Sequence, residues 1–221
     1  MSVRRDTRTW YLDRTADEVV SPSLLGFATS RAGRSVLDVG SGPGGYARRL
    51  SETGRCVFAL DNAESYLAQA RSDDVSAVRA FADALPFADS TVDTVILFEV
   101  LEHLAAPREA LVEGARVARH NILITVPDNS RQPDLAALGL SFEHILDDDH
   151  KNFFTRESLW QLAQDAGLEA AITPGDFVDT NMIRLALGQR AARLAGLLAR
   201  MRIYRPRLSL RLFAEISLDG Q

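Results

Sequence analysis

The stretch Leu37-Asp38-Val39-Gly40-Ser41-Gly42-Pro43-Gly44-Gly45 decides the fold. It ends a short apolar run, Ser35 to Val39, and opens a segment, Gly44 to Glu52, with helical character. Glycines at a strand-to-helix turn allow left-handed backbone angles and close approach of a ligand, so the turn reads as a nucleotide pocket. Asp61 ends the next apolar run about twenty residues on, where a carboxylate can accept both hydroxyls of a ribose. Asn62 follows it.

Outward from this turn, β-rich apolar runs alternate with amphipathic ones from about Ser35 to Val126, the pattern of βαβ units around a parallel sheet. Strands are predicted at Ser35–Val39, Cys56–Leu60, Val75–Ala80, Thr91–Phe98 and Asn121–Val126. Helices fall between them at Gly44–Glu52, Ala63–Arg71 and Pro107–Arg119. Upstream, Arg14 to Thr29 reads as one helix or two broken at Pro22, capping the sheet. Downstream, Thr155, Glu157 and Gly167 mark the start and stop of a helix over Arg156–Ala166, and Leu168–Thr173 reads as a strand. Between Asn181 and Arg202, the residues Ile183, Leu187, Ala191, Leu194, Leu198 and Met201 share a helical face. Leu208–Leu218 is the last expected strand. The fold class is therefore Rossmann-like α/β: a seven-stranded, mostly parallel sheet, helices on both faces, and an extra C-terminal helix before the last strand. One domain is expected over 1–221, with capping helices in 1–32, the ligand-binding core in 33–126, a long loop over 127–155 and a C-terminal part over 156–221.

The chain has 221 residues, 46% apolar and 25% charged, as in ordinary soluble domains. No run of about 18 apolar residues predicts a membrane span, and the arginine-bearing N-terminus lacks the apolar core of a secretory signal. A cytoplasmic location is the expectation. The lone Cys56 sits in the apolar run Cys56-Val57-Phe58-Ala59-Leu60, so packing is its expected role. A net charge of -5 argues against a nucleic-acid partner. Asn181 to Ala214 nevertheless holds eight arginines and no acidic residue. That run suits an acidic acceptor, a partner surface, a membrane face or a plain solvated helix, and the sequence leaves these open.

Gly40, Gly42 and Gly45 also satisfy the dinucleotide pattern G-x-G-x-x-G, so the glycines alone leave a nicotinamide-dependent oxidoreductase open. Charge separates the two readings. Asp38 precedes the loop, where a carboxylate suits a sulfonium ligand with a free amino group and disfavours a pyrophosphate. With Asp38, Gly40, Gly42, Gly44 and Asp61 in place, the chain resembles the class I S-adenosylmethionine-dependent methyltransferases. Three further segments extend the resemblance: Ala82-Asp83-Ala84-Leu85-Pro86-Phe87, Ser90-Thr91-Val92-Asp93-Thr94-Val95 and Phe98-Glu99-Val100-Leu101-Glu102-His103-Leu104. Together they cover about residues 33 to 127. The resemblance implies that Asp38 and the loop glycines hold the methionine end of the donor, Asp61 with Asn62 the ribose, and Asp83 with Ala84 the adenine. It implies that Glu99 lines the methionine pocket, that the final strand is antiparallel, and that S-adenosylhomocysteine is the product.

Methyl transfer needs positioning and water exclusion, and an alcohol acceptor adds a general base. The long connection Pro127–Thr155 reads as an acceptor-binding insertion. Its Ser141-Phe142-Glu143-His144-Ile145-Leu146-Asp147-Asp148-Asp149-His150 gathers two histidines with four carboxylates, which makes His144 and His150 the candidate bases. Lys151-Asn152-Phe153-Phe154-Thr155 then resembles an H-x-x-F-F-T/S element of saccharide-pathway family members. Glu99, Glu102 and His103 resemble the E-x-x-E-H element in which some quinone-pathway members hold magnesium, at helical spacing that shares one face. Asp147, Asp148 and Asp149 offer oxygens to a divalent ion as well. Nitrogen-methylating relatives carry an Asn/Asp-Pro-Pro-Tyr/Phe run where this chain has Glu99-Val100-Leu101-Glu102, so the resemblance favours an oxygen acceptor. The expected partner is a small hydroxylated acceptor, a saccharide first and a quinone, phenol or lipid second; a homodimer stays open.

Overall fold

The computed structural model describes residues 20–72, 75–137, 147–178 and 208–219, together with 188, 190, 191, 193–199, 201 and 203. Helix α1 (Pro22–Arg31) leads into β1 (Ser35–Val39), α2 (Gly45–Ser51), β2 (Cys56–Asp61), α3 (Glu64–Ser72) and β3 (Ser76–Arg79). β4 (Val92–Phe98), a 3₁₀ turn (Leu101–His103), α4 (Pro107–Val117) and β5 (Ala118–Pro127) follow. α5 (Gln132–Ala137), α6 (Arg156–Asp165), β6 (Ala170–Gly175) and β7 (Arg211–Ser217) complete the described elements. The seven strands form one sheet in the order β3-β2-β1-β4-β5-β7-β6. β1 to β5 pair in parallel, whereas β7 runs antiparallel to both neighbours, β5 and β6.

Alternation along the strands builds two cores. Leu37 and Val39 of β1 join Val95, Leu97, Ile122, Ile124 and the buried faces of α4 and α6 on one side. Val36 joins Val57, Ala59, Ile96 and Leu123 beneath α1, α2 and Ala70 of α3 on the other. Helices on both faces bury the sheet twice, which is why β4 and β5 read as nearly continuous apolar runs.

Several expectations shift. Pro22 opens α1 at its first turn, where its missing N–H costs nothing, so of the two alternatives one continuous helix through Pro22 is ruled out. α4 stops at Val117 because Ala118 is already extended and pairs with Val92. β6 runs two residues later than the sequence suggests and includes Pro174, tolerated because this strand lies at the sheet edge. β7 alternates cleanly, with Leu212, Ala214 and Ile216 buried. Cys56 is exposed, contrary to the packing expectation, because the first residue of β2 points outward before Val57 turns in. Residues 193–199 are helical as expected, yet Leu194 and Met201 of the apolar stripe are 56% and 59% exposed and Ala195 is the buried residue. Residues 1–19, which include the expected upstream helix start, and 179–187 lie outside the described set. Among the described residues no helix is long and apolar enough to cross a membrane.

The segment between β3 and β4, which carries Asp83, has little regular structure of its own. α4 holds it: Glu113 accepts the Leu85 N–H at 2.9 Å, while Arg116 donates to the carbonyls of Leu85 and Phe87 at 3.1 and 2.8 Å. Glu113 and Arg116 pair with each other at 2.7 Å, which holds the Glu113 carboxyl below its usual range. Glu113→Ala is expected to lower stability by about 1–2 kcal/mol, the worth of charge-assisted hydrogen bonds discounted for exposure. Urea melts check this, and an unchanged midpoint would show that the segment stands without α4.

Candidate functional site

A cavity of about 990 Å³ opens at the carboxyl ends of β1, β2 and β4, where the strand order reverses around β1. Its floor is the β1–α2 turn. The N–H groups of Gly40 and Ser41 donate to the Leu60 carbonyl at 2.7 and 3.0 Å, which ties the turn to the end of β2. Gly40 has φ +70°, and a Cβ there would stand 2.5 Å from Val100 Cγ2. Gly44 has φ +83°, and a Cβ there would stand 2.8 Å from the Ala70 Cβ of α3. The two glycines therefore let the turn press against β4's exit and α3 at once.

Asp38 and Asp61 face this space. Asp38 is 2% exposed, and among the described residues its Oδ2 has no hydrogen-bond partner. Burial, with a smaller push from Asp61, drives its pKa up to about 7 against a pull from the Ala47 amide. An unsatisfied buried carboxylate is costly unless a cation or donor meets it, and such groups cluster at functional sites. Asp61 accepts the Gly42 N–H at Oδ2 (3.0 Å) and the Ala63 N–H at Oδ1 (2.8 Å). Burial raises its pKa, and the amides of Ala63, Gly42 and Asn62 partly offset the rise. Each Asp61 oxygen keeps a lone pair for a ligand hydroxyl. Asn62 lines the cavity beside it.

Of the pair expected at the adenine end, Asp83 lines the cavity and Ala84 does not. Ala84 donates its N–H to the Phe81 carbonyl at 3.2 Å, closing the small turn that presents Asp83. Phe81, 64% exposed, stands in the cavity wall as a flat apolar face.

The far end is the most charged. Glu99 takes φ +56° directly after β4, and its Oε2 accepts from Arg211 Nε at 3.0 Å, while Oε1 is buried without a partner among the described residues. Arg211 Nη1 donates to Asp176 Oδ2 at 2.8 Å. Glu102 is 1% exposed with neither carboxylate oxygen partnered among the described residues, and burial together with Glu99 raises its pKa. His103 lines the cavity, with Nδ1 3.3 Å from the Asp149 carbonyl. His150 stands behind it, its ring 4.6 Å from that of His103 and its Nε2 3.5 Å from Asp147 Oδ2.

These positions correct the sequence reading at two points. Glu99, Glu102 and His103 do not share a helical face, because the left-handed residue at 99 turns its side chain toward Arg211 and only a 3₁₀ turn follows. The cluster with metal-ligand proximity is Glu102, His103 and His150. His150 approaches the site through His103 and is absent from the cavity wall, and His144 lies outside the described residues. Arg211 and Lys151 line the cavity unforeseen. Arg211 was hidden in a basic run, and only the antiparallel return of β7 carries it to Glu99.

Residues 37–126 match the family model described as a methyltransferase domain. A protein of Mycolicibacterium smegmatis named "Probable S-adenosylmethionine-dependent methyltransferase" is 31% identical over 160 residues, 70% of this chain and 59% of that relative. One of Mycobacterium tuberculosis with the same description is 33% identical over 163 residues, 71% of this chain and 53% of that relative. The chain thus spans little more than half the length of these curated relatives. Among solved structures, a SAM dependent methyltransferase from Archaeoglobus fulgidus superposes with a TM-score of 0.66 at 16% identity, covering 94% of this chain and 99% of that one. At such identity the likeness concerns the fold.

The burial of Asp38 predicts a pH dependence. From about pH 4 to 7 the unfolded chain ionises this group while the folded chain keeps its proton, so the folded state binds more protons and stability falls as pH rises. At about 1.4 kcal/mol per pH unit, the loss approaches 4 kcal/mol by pH 8. Asp38→Asn in the ligand-free protein is expected to match the parent near pH 4 and exceed it by a few kcal/mol at pH 8, as urea melts at both values will read. Parallel pH profiles for the two proteins would contradict the burial of a charge at this position.

Proposed function

We propose that the chain, which matches a methyltransferase-domain model over residues 37–126 and is similar to probable S-adenosylmethionine-dependent methyltransferases, transfers a methyl group from that donor to a hydroxyl of a small acceptor, with a saccharide as the favoured class. The single observation that carries the donor reading is Asp38 Oδ2, a buried carboxylate oxygen in the cavity with no partner among the described residues. It fits an ammonium or sulfonium group and repels a pyrophosphate, which counts against a nicotinamide cofactor. Asp61 and Asn62 would hold the ribose, Asp83 and the Phe81 face the adenine, and Gly40 to Gly44 the methionine end, with Glu99 beside it. When bound, S-adenosylmethionine supplies an electrophilic methyl group on a sulfonium centre. The chain's own task is to hold the acceptor in line and exclude water.

The acceptor would lie at the end formed by His103, Asp149, Lys151 and Arg211, all in the cavity wall. Closely spaced donors and acceptors of this kind suit a polyhydroxylated molecule better than an apolar one. His103 and, behind it, His150 supply the group that activates the hydroxyl. A second reading, a quinone, phenol or lipid acceptor, is favoured by one observation: Leu194, Leu197, Met201 and Ile203 are exposed in an arginine-rich segment.

Calorimetry with S-adenosylhomocysteine and transfer assays with a labelled donor over sugars, quinols and phenols test the proposal. Binding is expected, weakened about ten- to hundredfold or more in Asp38→Ala. His150→Ala should lower kcat by about 10²- to 10⁴-fold with donor affinity retained. Transfer to nitrogen acceptors alone would contradict the hydroxyl assignment, and failure to bind S-adenosylhomocysteine would contradict the donor.

A further inference from the structure

We infer that Glu102, His103 and His150 form a binding site for a divalent transition-metal ion of the zinc class at the acceptor end of the cavity. One ligand atom from each lies within 4.8 Å of the other two. Metal–ligand bonds of about 2.0–2.2 Å place donor atoms about 3–3.5 Å apart around one ion, so binding asks each side chain to close in by about an ångström.

The second observation is independent of that proximity. Glu102 is almost fully buried, and neither of its oxygens has a hydrogen-bond partner among the described residues. An interior carboxylate in that condition lacks what normally stabilises it, and a cation between it and the two imidazoles provides the missing partner. Glu99 and Asp147 add negative potential, against the opposing charge of Arg211.

The surroundings hold the two imidazoles as metal sites do. His103 Nδ1 is 3.3 Å from the Asp149 carbonyl and His150 Nε2 is 3.5 Å from an Asp147 oxygen. A ligating imidazole is oriented in this manner, through its other nitrogen, by a carbonyl or a carboxylate. The backbone fixes the distance between the two contributing segments. Lys151 and Asn152 donate their N–H groups to the Glu102 carbonyl at 2.7 and 3.0 Å, and Asn152 Nδ2 donates to the carbonyls of Leu101 and Leu104 at 3.0 and 2.7 Å.

The donor set decides the ion class. Two imidazole nitrogens and one carboxylate suit zinc, iron, cobalt or nickel, whereas magnesium prefers oxygen ligands and keeps several waters. The site therefore differs in composition and in chemistry from a magnesium set of Glu99, Glu102 and His103; Glu99 is held by Arg211. Three protein ligands leave coordination positions open, and one of the three, His103, lines the cavity at the end assigned to the acceptor. An acceptor oxygen would occupy them, and with the ion bound it is the ion, held by the two imidazoles, that would activate the hydroxyl in place of a free imidazole base. That use of the ion rests on the methyl-transfer reading; the binding of the ion does not.

The untagged protein, stripped with a chelator and dialysed, is titrated with Zn²⁺ and, separately, with Co²⁺. One equivalent per chain is expected, with ligand-field bands in the visible spectrum of the cobalt form that a large excess of Mg²⁺ leaves in place. Glu102→Gln and His150→Ala should each weaken uptake at least tenfold while S-adenosylhomocysteine binding persists, and His150→Ala serves alone should a buried amide at 102 prevent folding. No uptake by the parent, equal uptake by both variants, or displacement of cobalt by Mg²⁺ would overturn the site. Such a failure with S-adenosylhomocysteine binding intact would leave the donor pocket standing, whereas loss of that binding in the parent would strike the methyl-transfer reading.

Discussion

Asp38 holds a carboxylate at the carboxyl end of β1, out of water and with one oxygen out of reach of any described donor, and the rest of the pocket is arranged around that cost. β1 lies centrally in the sheet, between β2 and β4, so both of its neighbours end beside the same opening. The glycine turn then carries the chain away from Asp38 without placing side chains over it. Gly40 lies against Val100 and Gly44 against Ala70, contacts that leave no space for a Cβ. A protein interior tolerates such a group where function requires a charge to be met by a ligand, and stability is lower for it.

The opposite end of the cavity follows a related logic with more partners. The left-handed backbone at Glu99 ends β4 abruptly and turns its carboxylate to Arg211, which the return of β7 brings across the sheet. Asp176, also left-handed, fixes the same guanidinium from the end of β6. Backbone strain at two acidic residues that grip one arginine marks the place where β4, β6 and β7 must agree in register. Beyond them, the Leu101–His103 turn and the 150–152 segment are tied by main-chain bonds, so the histidines are positioned by backbone and not only by their own contacts.

The sheet was legible because strands buried on both faces spell continuous apolar runs, and the turn was legible because glycine has few other reasons to recur there. Asp38 and Asp61 could be placed for the same reason: each follows directly from where a strand ends. The charged end of the cavity was not. Arg211 joins Glu99 across 112 residues, and no local pattern encodes an antiparallel return. His103 and His150 meet over 47 positions for a similar reason, and Glu99 left its expected helical face because one left-handed residue outweighs an i, i+3, i+4 spacing. Cys56 shows the limit of an apolar run as a guide, since the first residue of a strand need not face inward.

The central claim, that Asp38 meets the ammonium group of an amino acid end in this pocket, has a direct thermodynamic signature. With the Asp38 pKa raised to about 7 in the empty pocket, a ligand ammonium group placed beside it favours the ionised carboxylate and is expected to drive its proton off on binding. Calorimetric titration with S-adenosylhomocysteine at pH 6 in two buffers of different ionisation enthalpy reads that proton. Heats that differ by close to one proton released per ligand, and that coincide in Asp38→Asn, are the predicted result. Equal heats in both buffers with binding intact would contradict the account.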